Sequence, residues 1–179
     1  MERQMEIDKA LQLIRDVPDF PQPGILFKDI TPLLADGQAL AKIISEMTGL
    51  AQSFTHVIGV EARGFILGSA IALEAGVGFI PIRKAGKLPY QTLSRSYGLE
   101  YGVDVIEIHE DALTRGDRAL VIDDVLATGG TLLASLDLIT ELGAEVDSIV
   151  VLYEIRALEG RARILEKYPS ISIKALVSE

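Results

Sequence analysis

The sequence predicts an α/β fold: a single domain over residues 1–179 with a mainly parallel central sheet flanked by helices. Three observations lead there. Short apolar runs that suit buried strands alternate with segments whose apolar residues fall at helical spacing. The alternation continues from His56 to Leu176, the pattern of helices packed against a parallel sheet. The 179 residues are 49% hydrophobic and 24% charged, enough for one buried core in one domain.

The elements follow in order. Ile7, Ala10, Leu11 and Ile14 predict an amphipathic helix over Glu6–Arg15, stopped by Pro18. The prolines of Pro18–Gly24 predict a rigid extended path without regular structure. Leu40, Ile43, Ile44, Met47, Leu50 and Ala51 then make one face of a second helix. Strands are expected at His56–Val60, Gly78–Ile82, Val103–His109 (where Glu107 breaks the alternation), Ala119–Ile122, Val146–Tyr153 and Ser170–Leu176. Helices are expected at Gly64–Glu74, Thr131–Leu142 and Ala157–Lys167. Between Arg83 and Gly102 the sequence predicts a loop of about twenty residues, long enough to act as a mobile lid. Its Arg83, Lys84, Lys87 and Arg95 point to an anionic ligand.

Composition narrows the function. Seventeen basic against 26 acidic residues leave a net charge of −9, unsuited to a general nucleic-acid binder. The absence of cysteine removes disulfides, thiolate nucleophiles and zinc–thiolate clusters. Met1–Lys9 is charged with no apolar core after it, so no secretory signal is expected. Gly64–Ile82 carries only Glu74 as a charge, but Gly76, Gly78 and Pro81 make it a helix, turn and strand rather than a membrane span. A cytoplasmic chain that binds neither nucleic acid nor membrane is the expectation. His56 and His109 lack partners at ligand spacing.

The sharpest feature is the run Ala119-Leu-Val-Ile-Asp123-Asp124-Val-Leu-Ala127-Thr128-Gly129-Gly130-Thr131. A buried strand delivers two carboxylates at its carboxyl end, the ligand-binding edge of open α/β sheets. Adjacent glycines then lead into a helix whose first N–H groups can cradle a phosphate. Ala127, Thr128, Gly129, Gly130 and Thr131 form this cup, with Thr128 and Thr131 adding hydroxyls. The carboxylates would repel phosphate, so they suit ribose hydroxyls or a magnesium ion.

This run resembles the phosphoribosyl-pyrophosphate motif of the type I phosphoribosyltransferases. Four further segments are similar to the adenine-specific members: Phe20–Leu34, Glu61–Phe65, Ile82–Pro89 and Ser96–Gly102. The resemblance implies the type I phosphoribosyltransferase fold, with an N-terminal hood over residues 1–35, and a homodimer. It also implies Mg²⁺-dependent transfer of ribose 5-phosphate from phosphoribosyl pyrophosphate to adenine, giving AMP and pyrophosphate in purine salvage. Leu26, Phe27 and Lys28 would form the adenine hood, with Phe27 stacking on the base and Ile155 closing the other side. Arg63 would meet the diphosphate, joined by Arg83, Lys84 and Lys87. Asp123 and Asp124 would anchor the ribose, while Mg²⁺ would be held mainly by substrate and water. Glu100, next to Tyr101, would either accept the adenine proton or order the lid.

Overall fold

The computed structural model describes residues 5–99 and 102–179. The chain divides into two compact units, one ending at Glu46 and the other spanning Met47–Glu179.

The first unit contains α1 (Ile7–Leu11), β1 (Arg15–Pro18), β2 (Leu26–Asp29), α2 (Thr31–Ala35) and most of α3 (Gly37–Leu50). One expectation is corrected here. The first helix stops at Leu11, and Arg15 instead opens an antiparallel hairpin with β2, running from Arg15↔Asp29 to Pro18↔Leu26. The Arg15 guanidinium pairs with Asp29 across its open end. Pro18 closes the strand, a position where a missing N–H is tolerated. The hairpin turn is held by the Asp19 carboxylate, which accepts from Gly24 N at 2.8 Å. Asp29 also accepts from Thr31 N at 2.9 Å, just before α2. That bond, together with Arg15 and the Thr31 hydroxyl, lowers its pKa to about 2.

The second unit begins its sheet with β3 (His56–Val60), followed by α4 (Arg63–Ala75), β4 (Gly78–Lys84), β5 (Thr92–Leu99) and β6 (Gly102–His109). Next come β7 (Arg118–Leu126), α5 (Gly130–Glu141), β8 (Glu145–Glu154), a 3₁₀ turn at Arg156–Leu158, α6 (Gly160–Lys167) and β9 (Ser172–Ser178). The strands lie in the order β5-β6-β4-β3-β7-β8-β9. From β4 to β9 neighbours run parallel, while β5 and β6 form an antiparallel edge. Ala119, Leu120, Val121 and Ile122 of β7 are all fully buried, as a central strand covered on both faces requires. Among the described residues no helix is long and apolar enough to cross a membrane.

The segment expected to be a long lid loop is corrected as well. It contains an eight-residue strand, β5, paired with β6 from Thr92↔His109 to Leu99↔Gly102. Its alternation of half-buried Leu93, Arg95 and Tyr97 with exposed Ser94, Ser96 and Gly98 is real. A charged residue at the middle inward position hides that period in the sequence.

Two glycines set how closely α4 lies on the sheet. A Cβ on Gly59 would stand 2.6 Å from Phe79 Cε2 and 2.9 Å from Gly64 O. Gly59→Ala must push apart β3, β4 and α4, and overpacking of this kind costs about 1–3 kcal/mol. Thermal denaturation is expected to show Tm lowered by about 2–10 °C relative to the parent.

Candidate active site

The carboxyl edge of the parallel strands gathers most of the expected site residues. The acidic pair does not follow β7, as its sequence suggests, but lies inside it. β3 accompanies β7 only as far as Gly59↔Ile122, whereas β8 continues beside it to Leu126↔Glu154. Asp123 and Asp124 therefore occupy a stretch of strand with a neighbour on one side.

The first turn of α4 approaches that stretch. A Cβ on Gly64 would lie 2.7 Å from Ile122 O and 3.3 Å from Asp123 Oδ1, so only glycine admits this contact. Arg63, one residue earlier, places Nη1 2.9 Å from Asp124 Oδ2. Asp124 is 4% exposed, and that oxygen accepts no aligned hydrogen bond; the contact is an ion pair. Asp123 Oδ1 accepts from Asp124 N at 2.9 Å. Burial, then the neighbouring Asp124 charge, pushes the Asp123 carboxyl well above the usual range. Burial also raises Asp124, with Arg63 opposing the shift.

After Leu126 the chain turns through Ala127, Thr128 and Gly129 into α5. Gly129 has φ 75°, and its missing side chain faces Gly160, whose O would be 2.7 Å from a Cβ there. A Cβ on Gly130 would meet Tyr97 Cδ2 at 3.4 Å, an ordinary contact. The close approach of α6 is a reason for glycine at 129 besides the approach of a ligand, and it shapes the turn. The turn encloses a cavity of about 70 Å³ lined by Asp123, Val125, Ala127, Thr128, Gly129, Gly130, Thr131 and Leu132. The opening N–H groups of α5 have no helical acceptors, which suits the cavity to an oxyanion.

On the other flank, β3 leads into Glu61, whose peptide to Ala62 is cis. Glu61 organises the cations at the end of β4. Its carboxylate accepts from Lys84 N at 2.8 Å and from Arg83 Nε and Nη2 at 3.3 and 3.2 Å. Burial works against that charge, but the Lys84 N–H and the Arg83 guanidinium hold its pKa below the usual value. Arg83 also donates to Lys87 O and stands 5.8 Å from the centre of the Phe65 ring. The Lys84 ammonium pairs with Asp104 at 3.0 Å.

The remaining expected residues are placed as follows. Ile155 follows β8, with its N–H donating to Leu126 O at 3.0 Å. Leu26, Phe27 and Lys28 lie on β2 of the first unit. There Phe27 meets Phe20 edge-to-face at 5.1 Å, and Lys28 Nζ pairs with Asp16 at 2.9 Å. Glu100 and Tyr101 fall outside the described residues. His56 opens β3, at the amino edge of the parallel strands, and His109 ends β6. Sequence reasoning missed Glu61, Tyr97 and Asp104 as organisers. Glu61 and Tyr97 stand inside segments that carry the family resemblance, so a signal existed for those two.

Residues 27–175 match the phosphoribosyl transferase domain. An adenine phosphoribosyltransferase of Streptomyces coelicolor is 55% identical over 170 residues, covering 94% of this chain and 93% of that protein. The chain belongs to the adenine phosphoribosyltransferase family. Its fold agrees with the crystal structure of an adenine phosphoribosyltransferase from Thermoanaerobacter pseudethanolicus. The TM-score is 0.90 at 46% identity, over 97% of this chain and 100% of the other. The Giardia lamblia enzyme, solved with 9-deazaadenine, superposes with a TM-score of 0.91 at 40% identity over 98% of both chains. The chain is accordingly a pentosyltransferase.

A raised Asp123 pKa has a consequence for stability. Its ionised form is penalised in the fold, so the penalty is complete above the folded pKa and fades as pH falls toward the unfolded value. Asp123→Asn keeps an oxygen for Asp124 N and removes the charge. Melting curves between pH 4 and 8 are expected to show the variant more stable than the parent at pH 8. That advantage shrinks toward pH 4.

Proposed function

We propose that this site transfers ribose 5-phosphate from phosphoribosyl pyrophosphate to adenine, forming AMP and pyrophosphate. The observation that carries this reading is the acidic pair standing on β7 directly beside a small oxyanion cavity at the start of α5. The cavity takes the 5′-phosphate through the N–H groups at the start of α5 and the Thr128 and Thr131 hydroxyls. Asp123 and Asp124 accept from the ribose hydroxyls. Arg63 and the cations of β4, Arg83 and Lys84, with Lys87 after them, meet the diphosphate. As pyrophosphate departs, negative charge grows on it and positive charge on the sugar. Fixed cations on one side and carboxylates on the other lower the energy of that separation.

The donors also fit a magnesium ion. Asp124 Oδ2 is buried without an aligned donor, and burial of both carboxyls favours a nearby cation. Among the described residues no third acidic or histidine side chain joins the pair, so substrate and water would complete the coordination. Bound there, magnesium would neutralise diphosphate charge.

Phe27 is assigned the adenine ring by resemblance, flanked by Leu26 and Lys28, and Ile155 by the same argument. Glu100 is assigned the N9 proton by the same resemblance, with Tyr101 beside it in sequence. A cytoplasmic homodimer completes the reading. Leu73, 85% exposed on α4, is apolar surface that a second copy could cover.

Purified protein given Mg²⁺, phosphoribosyl pyrophosphate and each purine base in turn tests the whole proposal. Adenine is expected to be consumed and guanine, hypoxanthine and xanthine left. Turnover of a 6-oxopurine in preference to adenine overturns the base assignment. Two substitutions separate the roles. Phe27→Ala is expected to raise the adenine KM by about tenfold, from the loss of base stacking, with a smaller change for phosphoribosyl pyrophosphate. Glu100→Gln is expected to slow the single-turnover chemical step by about 10²-fold or more. A normal chemical step with altered product release would instead make Glu100 a residue that orders the lid.

A further inference from the structure

One polar cluster is left unused by this account. It lies where the β5–β6 hairpin meets both flanks of the site. Tyr97 and Asp104 face each other across the hairpin in register. The Tyr97 hydroxyl donates to Asp104 Oδ2 at 3.2 Å, and the Lys84 ammonium reaches the same oxygen at 3.0 Å. Val105 N donates to Asp104 Oδ1 at 3.0 Å, so both carboxylate oxygens are engaged. Tyr97 also lies against Gly130, at the start of α5. The hairpin thereby touches the phosphate turn through Tyr97 and the cation strip through Asp104.

We propose that Asp104, held by Tyr97, is a positioning residue that fixes the Lys84 ammonium for the diphosphate. The proposal rests on the diphosphate role given to Lys84 above. The Lys84 side chain is 58% exposed, and a lysine so placed samples many rotamers unless something restrains it. Asp104 supplies the restraint. An ammonium has three N–H donors, and Asp104 occupies one of them. Two remain for diphosphate oxygens, so the ion pair need not break when substrate arrives. Asp104 is itself restrained by the Val105 N–H and by a tyrosine whose ring is packed on α5. The chain of contacts therefore ends on the element that forms the phosphate cup, giving both anion-binding flanks a common reference.

The test is a double-mutant cycle on KM, with Tm followed throughout. Asp104→Asn is expected to raise the KM for phosphoribosyl pyrophosphate about threefold, the scale of a half-exposed ion pair. The kcat and the adenine KM stay at the parent values. Tyr97→Phe keeps the ring and is expected to move the same KM in the same direction, by less. In a Lys84→Met background, Asp104→Asn is expected to add nothing. An equal rise in that background, or one that follows Tm, overturns positioning through Lys84 and leaves the proposed reaction standing. A fall in KM also overturns it, because Asp104 would then compete with the substrate. Lys84→Met with an unchanged KM overturns the diphosphate role of Lys84 and this proposal together. Should Asp104→Asn fail to fold, Tyr97→Phe in the two backgrounds decides the question alone.

Discussion

The carboxyl edge of this sheet depends on how closely the first turn of α4 rests on the end of β7. Gly64 permits the contact, since any side chain there would meet Ile122 O and Asp123. Gly59 permits it from the other side, where β3 passes beneath Gly64 and Phe79. Two carboxylates in so buried a place would oppose folding if they stood alone. The geometry supplies the compensation: Arg63 is delivered to Asp124, and the positive end of α4 lies beside Asp123. The compensation is partial, since burial still holds both carboxyls above their usual pKa range.

From that contact the two flanks of the site diverge in chemistry. On the β7 side the chain turns tightly because Gly129 and Gly160 can touch, and α5 starts with its N–H groups around a small cavity. On the β3–β4 side Glu61 gathers Arg83 and the Lys84 backbone, concentrating cations in a chain whose net charge is −9. The positive charge here is a local arrangement, set against the sign of the whole protein. The antiparallel β5–β6 edge adds the third side, reaching the first flank with Tyr97 and the second with Asp104.

Much of this was legible in residue order. The parallel strands and their helices follow from apolar runs and helical spacing, and their boundaries fall within a few residues of those expected. The acidic pair, the two threonines and the adjacent glycines could be read as one motif, because neighbours in sequence remain neighbours at a strand-to-helix turn. The first hairpin was hidden by prolines at its turn and at a strand end. The strand β5 was hidden by Arg95, a charged residue at an inward position, which turns an alternating pattern into an apparently polar loop.

The sequence by itself therefore determined the fold class, the family and the chemical character of the carboxyl edge, since each is carried by local periodicity or a contiguous motif. Tertiary structure alone decided which charges meet. Arg63 and Asp124 are far apart in the chain, as are Glu61 and Arg83, or Lys84 and Asp104. Nothing in local spacing distinguishes those partners from other acids and bases. It also decided one reason for Gly129, which makes room for Gly160, a contact that exists only once separate segments are packed together. Pairing and close packing depend on the path of the chain through space, and residue order constrains that path only through the fold.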